Sequence, residues 1–174
     1  APVSFVAKVM DDTDPAEDLW VEWIDSSGTL LSDTLADPSG LVTTELDGST
    51  MGTGEQVVTV VVTDSCGNSA EDTVTVYIPG PPNIEVSPRE VFFDRICTTD
   101  DEVVVITNTG ETSLRVLDVL VSGSGWSIDH ADLPVVLESG ATFSVTVEGP
   151  PGVGTLSVLS TDPDEPVIEI PLSA

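Results

Sequence analysis

Three prolines in the four-residue stretch Pro79-Gly80-Pro81-Pro82 constrain this 174-residue chain more than any other feature. Proline has no backbone N–H and a fixed φ, so no central strand runs through such a stretch. Ahead of it Glu71-Asp-Thr-Val-Thr-Val-Tyr-Ile78 reads as a finished strand, and behind it Ile84-Glu-Val-Ser-Pro88 begins another. The stretch is a short, fairly stiff connector. The chain is therefore expected to form two domains, residues 1–79 and 83–174, each long enough to bury a modest core.

In the first half, Val3, Phe5, Ala7 and Val9 alternate with Ser4, Val6, Lys8 and Met10, the period of two of a strand with one buried face. Asp11-Asp-Thr-Asp-Pro-Ala-Glu-Asp18 is too polar for anything but a loop. Leu19, Val21 and Trp23 then share a face, which makes Trp23 a core plug and turns Trp20 outward, toward a rim or a contact. Asp25-Ser-Ser-Gly28, Asp37-Pro-Ser-Gly40 and Asp64-Ser-Cys-Gly-Asn68 are turns, and the Val-rich run from Gln56 to Thr63 suits a central strand. Seven short strands with turns every eight to twelve residues or so predict an immunoglobulin-like sandwich.

The second half is again all β. Ile84-Glu-Val-Ser-Pro88 and Val91-Phe-Phe-Asp94 form an opening strand interrupted at Pro88-Arg-Glu90. Glu102-Val-Val-Val-Ile-Thr-Asn108 enters the turn Asn108-Thr-Gly110, and the run Leu114, Val116, Val119, Val121 slips phase near Leu117-Asp118, as a β-bulge would make it. Trp126-Ser-Ile128, Pro134-Val-Val-Leu137, Thr142-Phe-Ser-Val-Thr-Val147, Gly154-Thr-Leu-Ser-Val-Leu159 and Val167-Ile-Glu-Ile170 complete the set.

Both halves also resemble known families. Asp11 and Asp14, Leu19-x-Val-x-Trp23, Asp25-x-x-Gly28 and Val60-x-Val62-Thr-Asp64-x-x-Gly67-x-x-Ala70-x-Asp72 occur in that order. With them the first half resembles the PKD-like and cadherin-like immunoglobulin-fold repeats of bacterial and archaeal surface proteins. Ile84-x-Val-x-Pro88 with Val91-x-Phe93, Ile106-Thr-Asn-Thr-Gly110, Leu114, Leu137-x-x-Gly140 and Ser160-Thr-Asp-Pro-Asp-Glu-Pro166 frame residues 84–172. That frame resembles the ASPM-SPD-2-Hydin module family, of the choice-of-anchor D type. The chain departs from it at Ile96-Cys97-Thr98, where members usually carry glycine, and in a shorter segment at residues 147–153. The two resemblances imply tandem immunoglobulin-like β-sandwiches in a surface protein.

Charge narrows the functions. Against 31 Asp and Glu stand four Lys and Arg, a formal charge of -27 shared almost evenly between the halves. No two basic residues are adjacent, which excludes nucleic acid and anionic membrane surfaces as partners. The apolar stretches are only strand length, so direct membrane insertion is not expected. With 40% hydrophobic residues and abundant Val and Thr, the acid lies on a folded β protein rather than in a disordered tail. The opening residues do not read as a signal peptide, and Ala1 is expected to be the cut edge of a mature protein or an excised fragment.

Catalysis is not expected. The only histidine, His130, reads as an exposed turn residue, the two cysteines lack zinc-site spacing, and the carboxylates lie in turns without an evident cleft. The leading expectation is a non-enzymatic extracellular module, structural or adhesive, of a bacterial surface protein or filament. Its partners would be neighbouring domains or subunits, or a surface protein or glycan. The alternatives are a carbohydrate- or protein-binding accessory region of a larger secreted enzyme, with Trp20 and Trp126 as the platform candidates, although Trp126 after Gly123-Ser-Gly125 also reads as a filler of the second core, or an assembly subunit. The latter would pair through Val-rich edges at residues 57–62 or 103–106. Adaptation to high salt would account for the acidity under either role.

Calcium is the expected cofactor. Asp11, Asp12, Asp14, Glu17 and Asp18 place five carboxylates in eight residues, and Asp64 on the closing hairpin approaches the same pole. A plain solvated turn is the competing reading, since the spacing is not that of an EF-hand. The second acidic turn, Asp162-Pro-Asp164-Glu165, is expected to fix backbone shape without an ion. Cys66 sits in the last hairpin of the first half, and Cys97 follows the opening strand of the second. In an extended tandem they stand far beyond the roughly 7 Å Cα separation that a disulfide permits, so pairing would need fold-back or a neighbouring chain.

Overall fold

The structure, a computed structural model, describes residues 2–93, 100–149 and 151–173. It is all β, and the chain divides into two compact units, Ala1–Pro79 and Gly80–Ala174. The first contains β1 (Pro2–Lys8), β2 (Trp20–Asp25), β3 (Leu30–Leu35), β4 (Leu41–Asp47), β5 (Gly54–Thr63) and β6 (Ser69–Ile78). Short 3₁₀ turns occupy Ala16–Asp18 and Gly48–Thr50. Six strands therefore stand where the sequence suggested seven.

They form a two-stranded sheet, β1-β4, and a four-stranded sheet ordered β3-β2-β5-β6. Phe5, Val42 and Leu46 of the small sheet share a core with Val21, Trp23 and Val58 of the large one. The alternation of β1 has this cause: Phe5 is buried while Val6 is largely exposed, as the pleat requires. The Phe5 and Trp23 rings lie 5.7 Å apart and inclined at 49°.

The second unit contains β7 (Ile84–Ser87), β8 (Val91–Phe92), β9 (Asp100–Asn108), β10 (Leu114–Ser122) and β11 (Ser127–His130). After them come β12 (Val135–Leu137), β13 (Thr142–Gly149), β14 (Val153–Ser160) and β15 (Val167–Ser173). One sheet runs β12-β10-β14-β15-β8 and the other β11-β13-β9-β7. The interruption at Pro88-Arg-Glu90 moves the opening strand from one sheet to the other: β7 pairs antiparallel with β9, β8 parallel with β15. The phase slip in β10 is a register shift between Val116 and Asp118 against β14, the expected bulge.

Its core is larger. Among the described residues, nineteen buried apolar side chains cluster in the second unit and nine in the first. At roughly 1.5–3 kcal/mol per fully buried large aliphatic or aromatic side chain, the second unit has much the greater hydrophobic drive. Trp126 packs against Phe93 at 5.6 Å and 48°, matching the pair in the first unit. Its indole lies in a slot left by glycines, because a Cβ on Gly149 would collide with the ring and one on Gly154 would come within 2.8 Å.

Two expectations about edges are overturned. Residues 57–62 lie in β5, which is hydrogen-bonded to β2 on one side and β6 on the other. Residues 103–106 lie in β9, between β13 and β7. Their continuous Val runs belong to central strands, so neither offers an edge for strand addition.

Candidate functional site

The acidic loop and the last hairpin of the first unit meet at one pole. Asp11 closes an Asx turn on itself, its Oδ1 accepting from the Thr13 hydroxyl at 2.7 Å and from the Thr13 and Asp14 N–H groups at 2.8 and 2.9 Å. These bonds, the hydroxyl foremost, hold its carboxyl below the usual range. Asp14 reaches across to the hairpin and accepts the Ser65 N–H at 2.9 Å. Asp64 sits close enough to Asp11 to feel its charge. Asp12, Glu17 and Asp18 are exposed. Among the described residues no three His, Cys, Asp or Glu side chains are grouped to hold a metal ion.

What the acid does in this unit is visible in three loops of one design. Asp25, Asp37 and Asp64 each donate their N–H to the carbonyl four residues on, at 3.0, 3.2 and 2.9 Å. A glycine three residues on donates back to the Asp carbonyl, and the carboxylate Oδ1 accepts the next N–H at 2.8, 2.9 and 2.7 Å. The glycines, Gly28, Gly40 and Gly67, have φ of 82°, 79° and 86°, a region that other residues adopt at a cost. In the first two loops a serine hydroxyl, Ser27 or Ser39, also donates to the carboxylate, and it is the foremost cause of the lowered Asp25 and Asp37 carboxyls. The third loop carries exposed Cys66 at the serine place. There the Asn68 side-chain amide is foremost in holding Asp64 down, while Asp11 opposes it.

Beside this pole lies a cleft of about 540 Å³. Residues 6–10, at the end of β1 and just beyond, form one wall, and residues 69–74 of β6 form the other. Trp23, Val58, Val60 and Val62 lie at its floor. The cleft exists because the small sheet has only two strands. β1 is paired on one side by β4, β6 on one side by β5, and neither has a second partner among the described residues.

The inner face of the large sheet is consequently uncovered at β6. Val58 and Val74 are directly opposed across β5 and β6, yet Val58 is 0% exposed and Val74 44%. Ala70 and Asp72, which share the inward phase with Val74, are exposed as well. The sequence did not signal this cleft through any motif. Its one trace is Asp72, a charge at an inward position of a strand that otherwise alternates toward a core.

In the second unit the polar groups tie distant segments together. Asp162, 2% exposed, accepts the Ile84 N–H at 2.7 Å and the Asp164 and Glu165 N–H groups at 2.7 and 3.0 Å. Burial pushes its carboxyl up, and the three N–H donors outweigh that and hold it low. Buried Asn108 donates its amide to the Thr112 and Leu137 carbonyls, both at 2.9 Å, and accepts from Gly110 and Asn83. Arg89 pairs with Glu165 at 3.1 Å on the surface. Asp162 in the second acidic turn thus fixes the backbone, as the sequence suggested.

The structure places two further candidates, and a third lies outside the described residues. His130 ends β11 rather than standing in an exposed turn; its Nδ1 is bonded to the Ala131 carbonyl and its ring lies 6.2 Å from Phe143. Trp126 is buried, which leaves Trp20, 40% exposed, without the second platform ring the sugar-binding alternative required. Cys97 lies outside the described residues, so its pairing with Cys66 does too.

No family model matches the chain, and no curated protein does. Among solved structures, a protein of unknown function from Porphyromonas gingivalis W83 is 16% identical over 99% of this chain and 90% of that one, with a TM-score of 0.45. The S-layer protein rSbsC is 15% identical over 94% of this chain and 21% of its own, with a TM-score of 0.47. Salmonella alpha-2-macroglobulin reacted with methylamine is 14% identical over 99% of this chain and 15% of its own, with a TM-score of 0.42. Likeness at this level extends to no function. No helix among the described residues is long and apolar enough to cross a membrane.

Proposed function

We propose that the chain is a non-enzymatic structural or adhesive module of an extracellular surface protein or filament, built of a PKD-like or cadherin-like unit and an ASPM-SPD-2-Hydin-like unit. The observation that supports this reading is the use made of the polar side chains. Asp25, Asp37 and Asp64 close loops, and Asn108 and Asp162 fasten segments far apart in sequence. These groups hold backbone in place, and the lone histidine is engaged by a neighbouring carbonyl and a phenyl ring rather than by a nucleophile.

Force spectroscopy on the full chain tethered at both ends tests this. A module that carries load extends in discrete steps, each releasing roughly 3.5 Å per residue unfolded, and refolds on relaxation. Gradual extension without steps contradicts it.

Calcium stabilisation of the first unit is a separate proposal, supported by the closeness of Asp11 and Asp64, whose repulsion a divalent cation would relieve. Melting in calcium, magnesium and sodium chloride at matched ionic strength decides it. A calcium-specific rise supports the ion, and identical melting removes it.

A further inference from the structure

The cleft beside β6 has the form of a place where a strand is missing. The two units of this chain supply the comparison. In the second, β8 lies parallel against the end of the last strand, β15, and pairs its outer edge at Leu172 and Ser173. In the first, no strand among the described residues pairs with the outer edge of β6, and along residues 69–74 every second residue turns its N–H and C=O away from β5. The apolar floor at Val58, Val60 and Val62 is what the inner side chains of such a strand would cover.

We propose that this cleft receives an extended segment of a separate partner polypeptide, apolar at alternate positions and basic at its flanks, which adds as a seventh strand along the free edge of β6. Size supports a strand. The spacing between strands, the spacing between sheets and the rise per residue together give about 160 Å³ for each strand residue, so the cleft holds the central three or four. Charge selects the flanks. The walls carry Asp11, Asp64, Glu71 and Asp72 against the single base Lys8.

A second copy of this chain does not fit, because its own charge of -27 would be brought against the same acids. Asp72 has a further part in this account. An inward-pointing charge on an edge strand blocks indiscriminate pairing, and here it admits a strand that brings a compensating base. The pairing concerns the cleft alone, and the module reading stands or falls separately on the pulling experiment.

The test is an amide-shift titration of the full ¹⁵N-labelled chain with the end-capped heptapeptide KVTVTVK and its charge-reversed counterpart EVTVTVE. Expected are shifts concentrated at residues 6–10, 58–62 and 69–74 with the basic peptide, at an affinity at least ~10-fold above the acidic one and weakening with salt. Val74→Lys, at an exposed position, should abolish the response while leaving the melting temperature near that of the parent. Ala70→Lys serves if Val74→Lys unfolds the unit. No shift with either peptide, equal response to both, or shifts at another edge such as β3 overturns the proposal. So does sedimentation showing that the chain dimerises through β6.

Discussion

The two units reach the same kind of sandwich by opposite means. The first is fastened mainly by local bonds, the Asp14 bond to Ser65 apart: Asp25, Asp37 and Asp64 each order about five residues of their own loop, all at the surface. The second is fastened at long range: Asp162 holds Ile84, 78 residues away, and Asn108 holds Leu137, 29 residues away. The first leaves the outer edge of its last strand without a strand partner along residues 69–74 among the described residues, and the second pairs the end of that edge, Leu172 and Ser173, with β8. The difference shows that a high acid content can be architectural in two ways. An exposed carboxylate shapes a turn at little desolvation cost, whereas a buried one needs every lone pair directed to a donor.

The contrast breaks first at Asp162. Asp162→Ala strands the buried Ile84 N–H and two turn amides, and denaturant unfolding should show a loss of about 2–4 kcal/mol in the second unit. The matched change Asp37→Ala should cost clearly less, because water reaches the freed donors. An equal loss at both would erase the distinction.

Next in size is Gly149→Ala. The added methyl enters the space of the Trp126 ring, and overpacking of this kind costs about 1–3 kcal/mol. The expected readout is a red-shifted Trp126 emission together with earlier unfolding of the second unit. Unchanged emission would mean that the slot is not set by the glycines.

Acid sharpens the comparison further. Asp11, Asp25, Asp37, Asp47 and Asp64 are all held below their ordinary value of 3.8 by hydrogen bonds to hydroxyl, amide and backbone groups. The folded first unit therefore binds fewer protons than the unfolded chain. Its stabilisation from these groups is complete above the ordinary carboxylate range and is lost as pH falls through and below it. In the second unit Asp162 and Glu165 are lowered in the same sense. Between about pH 5 and pH 2, in salt sufficient to screen repulsion, the first unit should lose stability more steeply. Amide signals of β2 and β14 followed through the titration report the two units separately.

The smallest effect is expected at Cys66. In the two sister loops a serine hydroxyl donates to the Asp carboxylate from this place, so Cys66→Ser should add the missing bond and raise the melting temperature slightly. A fall would mean that the third loop is not equivalent to the others.

Much of this was legible in the sequence, for reasons that are local. The turn glycines announced themselves in Asp-x-x-Gly, the bulge in the phase slip at Leu117-Asp118, and the core plug in the spacing of Leu19, Val21 and Trp23. Each follows from a period or a backbone preference confined to a few residues. The sheet change at Pro88 was visible only as an interruption, because which sheet a strand joins depends on partners far along the chain.

The valine run in β5 indicates a central strand, yet it and the run in β9 read equally as edge candidates, since continuous apolarity does not state how many neighbours a strand has. The cleft was least legible of all. It arises from a strand that neither residue pattern nor turn could show to be lacking, and only Asp72 on an inward phase hinted at it.

Native-state hydrogen exchange on the full chain tests the central claim most directly, that β6 is open along residues 69–74 whereas β15 is paired by β8 at Leu172 and Ser173. The account predicts fast exchange for the β6 amides that point away from β5, in residues 69–74, and slow exchange at Leu172 and Ser173, which lie between β14 and β8, and at Ile84. Protection of those β6 amides equal to that of Leu172 and Ser173 would contradict it.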